Sequence, residues 1–395
     1  MGHRSVILSV SVILLLITCV DPYTPKLDKY QSLLVVDAVV TGEDEPACVR
    51  LSITSVTPDE EPPMVSGAQV SISDNLGNSI SLSEASHGIY ISDGKNPAGV
   101  PGRTYTLSIR TREGKVYESE PCLLEQAGEI DTIYYEKEIH ITDDGEDLGG
   151  IMIYLDSKGP NGGKYFRWSY EEWWKFNVPY PVTHQYIDEG HIPEIPIENA
   201  TCYKHRKSEE VIIQNGETGI NTLFVKKPVC YIASEKSDRL LLQYYIQVSQ
   251  YSISEKEYEF WRQMKDISES GGDIFDRQPY QIMTNVHCLS NPEEMVLGFF
   301  QVCSVSKKRI WIRGSDIEKM ELEPYQYMCD VVIKGPQDYL SEKPVTFDRI
   351  YKNFTALDYN FISPKDGRLM FADKYCSDCT MSGSPEKPEF WIDLE

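Results

Sequence analysis

Positive charge is scarce in this chain of 395 residues, since 38 Lys and Arg stand against 61 Asp and Glu, for a net charge of −23 at pH 7. Such a chain repels phosphate, which argues against nucleic acid as a partner and against adsorption to anionic lipid. Catalytic signatures are also missing: there is no Gly-x-Ser-x-Gly elbow, no phosphate-binding loop and no zincin helix. The seven histidines lack the spacing of metal ligands. We therefore expect no catalytic residue, no metal site and no cofactor.

The apolar run at the start of the chain is short. It extends from residue 6 to residue 17, whereas a helix that spans a membrane needs about 20 apolar residues. Arg4 precedes the run and Cys19 closes it, a combination typical of bacterial lipoprotein signals. The sequence predicts a signal at residues 1–19, a diacylglyceryl group on Cys19 and a tether at residues 20–30. A signal without lipid, with a chance cysteine, is the alternative.

Cysteine pairs with metal-site spacing are also few. Cys376 and Cys379 form the one Cys-x-x-Cys pair, and no histidine lies near them in the sequence. Zinc sites need four ligands, so a structural disulfide is favoured over zinc or redox exchange, either within the pair or to Cys202. A link to a distant cysteine restricts the unfolded chain more than a tiny loop does. Cys202 follows a long loop and lies outside the apolar runs, and it is the preferred partner.

Short alternating segments fill residues 31–122. Residues 68–73, 79–82 and 105–110 carry apolar side chains at every second position, and glycine-containing turns separate the segments. Strands at spacings of about ten residues are typical of an antiparallel sandwich. We predict an immunoglobulin-like β-sandwich here, with Tyr105 buried.

Residues 123–395 are also mostly strand-like and predict a larger antiparallel β-rich domain. Residues 151–155 and 165–170 flank Asn161-Gly162-Gly163, which is typical of a hairpin turn. Residues 176–200 carry four prolines and little periodicity, which predicts a long loop. Loops of that length are uncommon unless they are functional or disordered.

One helix is predicted in this second domain, at about residues 254–270. Ser254 and Glu257 match a capping box. Apolar side chains then recur at intervals of three from Tyr258 to Met264, which favours a helix packed on a sheet over one that binds a partner. The fold class is therefore mainly β, with at least one helix.

Aromatic residues cluster before and within the long loop. Trp173, Trp174, Tyr180 and Tyr186 are candidates for a ligand-facing surface, because exposed rings stack on sugars and anchor interfaces. A buried β core is the favoured alternative. Strand alternation places Trp174 on the face of Trp168 and directs Trp173 to the opposite face.

Several sequence blocks resemble one known family, the DUF4249 lipoproteins of Bacteroidetes. The blocks are residues 67–70, 102–109, 156–172, 258–261, 271–279, 291–300, 308–312, 376–379 and 388–391. Individually each block is weak, but together they are specific, and they cover nearly the whole mature chain.

The resemblance implies a lipid-anchored outer-membrane protein displayed at the cell surface. Such proteins are often encoded near TonB-dependent β-barrel transporters, which makes a transporter the expected partner. The family has no established chemistry, so it implies no catalytic residue. We expect a non-enzymatic accessory or ligand-binding partner of a transporter. A surface adhesin that binds carbohydrate or glycoprotein is the alternative, and an enzyme of unrecognised mechanism is less favoured.

Overall fold

The structure is a computed structural model that describes residues 32–42, 45–55, 60–94, 99–142, 144–160, 163–216, 222–269, 282–340 and 344–394. The predicted signal at residues 1–19, its Cys19 and the tether at residues 20–30 lie outside this range. Among the described residues, no helix combines the length and the apolar character that a membrane crossing requires.

Strands dominate, at 48% of the residues against 13% in helices, which confirms the mainly β prediction. The strands are β1 (Leu34–Thr41), β2 (Cys48–Ile53), β3 (Gln69–Asp74), β4 (Ser79–Ser86), β5 (Ile89–Ile91), β6 (Thr104–Arg110), β7 (Val116–Ser119), β8 (Cys122–Leu123), β9 (Glu129–Ile141), β10 (Asp147–Lys158), β11 (Tyr165–Asn177), β12 (Thr201–Lys207), β13 (Ile212–Asn215), β14 (Leu223–Ala233), β15 (Gln243–Ile253), β16 (Val286–Cys288), β17 (Val296–Arg313), β18 (Val331–Lys334), β19 (Tyr359–Lys365) and β20 (Arg368–Asp373). The helices are α1 (Glu255–Glu269), α2 (Gly314–Glu318), α3 (Phe347–Thr355) and α4 (Lys374–Ser377).

The first unit is built from two groups of strands that share one apolar core. One group runs in the order β17-β1-β2-β5-β4 and the other in the order β4-β3-β6-β7-β16. Side chains from both groups, such as Val36 of β1 and Leu107 of β6, belong to the same buried cluster. Tyr105 is buried, and its hydroxyl accepts a hydrogen bond from the Val100 amide at 2.7 Å. The immunoglobulin-like assignment stays a prediction.

Strands from later in the chain complete this unit. β16 pairs with β7, and the first half of β17 pairs in parallel with β1, with Val36 opposite Gly298. A Cβ atom at Gly298, where φ is +87°, would lie 2.0 Å from the Val36 carbonyl oxygen, so this pairing requires glycine. The unit therefore includes residues that the predicted bounds 31–122 leave out.

β17 also builds the second unit. Its second half pairs antiparallel with β15, from Ser304 to Arg313. A strand of 18 residues is about 60 Å long. The same strand thus carries side chains into the cores of both units and links them covalently.

The second unit consists of two facing sheets. β12, β11, β15 and β17 form one, and β14, β10 and β9 form the other. Phe224 of β14 packs edge-on against Phe166 and Trp168 of β11, each at 5.0 Å between ring centroids. The expected hairpin of residues 151–155 and 165–170 is wrong, because β10 and β11 lie in opposite sheets.

Helix α1 packs beside this unit. The Ser254 hydroxyl accepts a hydrogen bond from the Glu257 amide at 3.2 Å and caps the helix. Phe260 stacks on Phe299 of β17 at 5.0 Å. The buried residues of α1 are Glu257 and Phe260 rather than the expected stripe that begins at Tyr258.

The third unit is small. β18, β20 and β19 form its sheet, and α3 packs on that sheet through the buried Ile350. Tyr186, from the long loop after β11, lies in the same buried cluster. The loop is therefore part of the third unit's core.

Candidate ligand-binding face

The outer face of the sheet β9-β10-β14 carries a row of aromatic and charged side chains. In β10, Ile151, Ile153 and Leu155 point into the core. Strand alternation directs Tyr154 and Asp156 of the same strand to the outer face. There Tyr154 is only 8% exposed, because Tyr134 and Lys226 pack against its ring. The register places Tyr134 of β9 directly opposite Tyr154.

We call this surface the tyrosine face. It consists of Tyr134, Glu136, Glu138, His140, Tyr154, Asp156, Lys226 and Tyr231. Four of these residues carry rings, three carry carboxylates and one carries an ammonium group.

The rings form two stacked pairs. Tyr134 and Tyr154 have centroids 5.8 Å apart, and His140 and Tyr231 have centroids 3.7 Å apart. Tyr231 reaches His140 across β10, where Gly150 leaves room. A Cβ atom at Gly150 would lie 2.7 Å from the Tyr231 hydroxyl oxygen. Glycine at this position therefore allows the second pair to form.

The charged groups hold the rings in place. The Tyr154 hydroxyl donates to Glu138, whose other carboxylate oxygen lies 3.1 Å from Nε2 of His140. The Tyr134 hydroxyl donates to Asp156 at 3.3 Å. Both phenols that β9 and β10 contribute to the face are thus fixed by a carboxylate, so this part of the face is preorganised.

Lys226 occupies an irregular position in β14. The ladder between β10 and β14 shifts register on both sides of the Tyr154–Leu155 step, and Lys226 has a φ of +53°. An irregularity of this kind in a ladder changes the direction of the side chains at that point, here that of Lys226. The Lys226 ammonium meets Glu136 at 2.6 Å and lies 4.9 Å from the centroid of the Tyr154 ring.

The hydrogen bond between Tyr154 and Glu138 moves their pKa values in opposite directions. The Tyr154 hydroxyl lowers the pKa of Glu138, and the Glu138 carboxylate raises the pKa of Tyr154. At neutral pH Glu138 is therefore an ionised acceptor and Tyr154 is the neutral donor to it. Rings with interleaved polar groups are suited to binding a molecule with apolar faces and many hydroxyl groups.

A cavity of about 560 Å³ opens beside this face. Tyr231 belongs to the tyrosine face and also lines the cavity. Met152 lies opposite Tyr231 in the ladder and lines the cavity as well. Lys227 of β14 and Lys265 of α1 contribute positive charge to its wall, and Glu210 and Glu269 contribute negative charge.

The four aromatic residues proposed from the sequence do not form one surface. Trp174 and Tyr186 belong to the buried clusters of the second and third units, so the expectation that they face a ligand does not hold. Trp174 lies in the core of the second unit and donates from its indole nitrogen to Asp238 at 2.9 Å. Tyr186 lies in the third unit, where its hydroxyl donates to Asp348 at 2.6 Å.

The other two aromatic residues are partly exposed. Trp173 lies on the outer face of β11, where His205 stacks on its ring at 4.3 Å and Phe390 packs edge-on at 5.0 Å. Tyr180 is tied through its amide to the Cys376 carbonyl at 2.9 Å. Residues near the C-terminus therefore cover part of the surface on which a ligand was expected.

Two disulfides fasten this C-terminal region. Cys379 bonds to Cys202, which is the distant partner preferred from the sequence, and Cys376 bonds to Cys329. Cys329 and Cys376 also form a potential metal-ligand group with Asp373. Because both sulfurs are already in a disulfide, this group offers no thiolate to a metal.

Carboxyl groups with raised pKa values lie elsewhere. Burial raises the pKa of Glu257 to about 7, against the opposing charge of Arg167. Burial also raises the pKa of Glu125. Neither residue lines the cavity beside the tyrosine face, so neither can supply a proton to a ligand bound there.

Sequence reasoning missed the tyrosine face, although part of its signal was present. Residues 133–140 alternate Ile133 and Tyr135 with Tyr134 and Glu136, and this alternation marks a strand with one polar face. The contribution of Tyr231 has no local signal, because it depends on the register of β14 against β10.

Comparison with known proteins identifies the family. The family described as "Domain of unknown function (DUF4249)" matches residues 20–309, a span that includes the first unit as well as part of the predicted domain 123–395. No curated protein matches. Among solved structures, the chain is similar to a "Biofilm associated protein - BSP domain" at 7% identity, covering 73% of this chain and 62% of that one. The TM-score of 0.11 is too low for that likeness to carry an argument. On the family match, this chain belongs to the DUF4249 family.

Proposed function

We propose that this protein is a non-enzymatic, lipid-anchored outer-membrane protein that binds carbohydrate on the tyrosine face as the partner of a TonB-dependent transporter. The observation that carries the proposal is the preorganised row of rings and carboxylates on β9, β10 and β14. Sugar rings present apolar faces that stack on aromatic side chains, and their hydroxyl groups donate to carboxylates.

The charge content of the face favours a saccharide over a protein surface. The cores of protein interfaces are depleted of charged residues. Here Glu136, Glu138, Asp156 and Lys226 alternate with the rings. Their mutual hydrogen bonds fix their positions before binding, which lowers the entropic cost of ordering side chains around a ligand.

Anchoring follows from the predicted lipid on Cys19. Fourteen residues lie between Cys19 and Leu34, the first residue of β1. Fully extended, they would span about 50 Å. The protein would thus stay at the outer membrane, with its folded part free to meet a ligand and deliver it to the transporter.

Two experiments test the two parts of the proposal. A glycan array probed with the purified protein should give discrete saccharide hits that Tyr134→Ala removes and Tyr375→Ala, an exposed tyrosine in α4, retains. Affinity purification from detergent-solubilised outer membranes should recover a β-barrel transporter. Glycan binding without a barrel would instead support the adhesin function. Release of cleaved product from a bound glycan would contradict the non-enzymatic assignment.

A further inference from the structure

Of the two lysines that line the cavity beside the tyrosine face, Lys227 has no acidic partner at ion-pair distance among the described residues, although Glu210 and Glu269 also line the cavity. The cavity lies between β13, the edge strand β14 and the last turns of α1. The Lys227 ammonium lies 5.2 Å from the centroid of the Trp168 ring. Among the described residues, no carboxylate oxygen lies within 4.0 Å of it. Acidic residues outnumber basic ones in this chain, so charge composition does not explain this isolation.

The neighbouring lysines differ from Lys227. Lys226 meets Glu136 at 2.6 Å, and Lys265 meets Glu269 at 3.6 Å. Burial, together with the charge of Lys265, lowers the pKa of Lys227. Partial burial of an ammonium group without a counter-ion raises its free energy, because the group loses hydration. An anionic group that entered the cavity would offset this desolvation cost by a charge-assisted hydrogen bond.

The position of Lys227 connects this charge to the proposed carbohydrate site. Lys227 and Tyr231 are four residues apart on β14, a distance of about 13 Å along a strand. They lie on opposite faces of β14, since Lys227 is opposite the core residue Leu155 and Tyr231 is opposite Met152, but β14 is the edge strand of its sheet and the cavity extends around that edge. Tyr231 lines both surfaces. One ligand longer than a single sugar ring can therefore lie on the tyrosine face and place a substituent in the cavity.

We propose that the protein selects acidic oligosaccharides, with Lys227 as the residue that binds a carboxylate or sulfate substituent in the cavity beside the tyrosine face. This inference rests on the proposed carbohydrate function and names its ligand class. Lys227 acts as a specificity-determining residue: it distinguishes an acidic sugar from its neutral analogue, while the rings bind both.

Titration calorimetry with matched tetrasaccharides tests this inference. The ligands are a tetragalacturonate, a sulfated galactan tetramer and the neutral galactan tetramer. We expect the acidic ligands to bind roughly tenfold more tightly than the neutral one, as for a hydrogen bond to a charged group. Lys227→Gln should abolish that preference and Lys227→Arg should keep most of it. Lys236→Gln, which removes an exposed ammonium paired with Glu235, should leave it unchanged.

A second measurement does not depend on any variant. The preference of the unmodified protein for the acidic ligand should shrink as sodium chloride rises from about 50 mM to about 500 mM, while neutral binding stays constant. Equal binding of acidic and neutral ligands, or an unchanged preference in a folded Lys227→Gln protein, would overturn the inference and leave the tyrosine face intact as a site. Binding of none of the three tetrasaccharides would overturn the inference, and the glycan array decides the carbohydrate proposal separately. Different responses of the carboxylate and sulfate ligands to Lys227→Gln would identify the anion that the cavity accepts.

Discussion

Glu257 provides a sharp test of how burial controls the stability of this fold. Its carboxyl group is 1% exposed at the first turn of α1, and Oε1 has no hydrogen-bond partner. Burial raises its pKa from 4.5 to about 7, although Arg167 and the Val302 amide favour the ionised form. The folded protein therefore binds this proton more tightly than the unfolded chain does.

The direction and size of the effect follow from that shift. Stability from protonated Glu257 is fully present below the unfolded pKa of 4.5 and is lost as pH rises through about 7. A shift of this size corresponds to about 3 kcal/mol in the free energy of unfolding. Glu257→Gln keeps the shape of the side chain and removes the titration. Relative to the unmodified protein, the variant should gain about 2–3 kcal/mol between pH 5 and pH 8.

Guanidinium unfolding followed by tryptophan fluorescence measures this difference at both pH values. Glu259→Gln is the matched control, since Glu259 lies on the same helix, pairs with Arg262 at its surface and should change little. A difference between Glu257→Gln and the unmodified protein that stays constant with pH would refute the reasoning. So would a variant that loses stability relative to the unmodified protein as pH rises.

Three further predictions concern buried charge, the disulfides and the anchor. Arg239→Met should cost about 3–5 kcal/mol in unfolding free energy, because it leaves the fully buried Glu172 without the cation that it now meets at 3.0 Å. Cys202→Ser should cost about 2–4 kcal/mol, since the Cys202–Cys379 bond closes a separation of 177 residues. Cys19→Ser should release the protein from the membrane fraction or block its processing, as measured by fractionation.

Each of these predictions has a control or a contradicting outcome. Arg262→Met removes an exposed arginine and should cost no more than about 1 kcal/mol, so equal losses in both variants would contradict a special role for burial. Non-reducing peptide maps that show Cys376 joined to Cys379 would contradict the observed pairing. Normal maturation and membrane retention of the Cys19→Ser variant would contradict the predicted lipid anchor.

Local sequence patterns predicted the strands and helices of this fold better than they predicted which strands pair with each other. Alternation in residues 151–155 marks a strand with Tyr154 on one face, and the same rule separates Trp173 from Trp174. The capping residues Ser254 and Glu257 identify α1. Such signals depend on neighbours within a few positions, and the sequence contains them in full.

Long-range pairing was beyond these signals. β1 pairs with β17 across more than 250 residues of sequence. The residues around Val36 carry no pattern that identifies Gly298 as the pairing position, and those around Gly298 carry none that identifies Val36. β10 and β11, which flank the predicted turn at residues 161–163, lie in opposite sheets, and a glycine turn in the sequence does not specify which strand follows as a partner. The tyrosine face depends on register in the same way, since Tyr231 meets His140 only through the alignment of three strands.

Binding of a saccharide to the tyrosine face is the central claim, and calorimetry with a glycan-array hit tests it most directly. Tyr134→Ala and Tyr231→Ala should each weaken binding by about fivefold or more, which corresponds to the loss of about 1 kcal/mol of ring contact. Tyr375→Ala makes the same change on an exposed residue of α4 and should leave the Kd unchanged. Equal Kd values for all three folded variants and the unmodified protein would contradict the account.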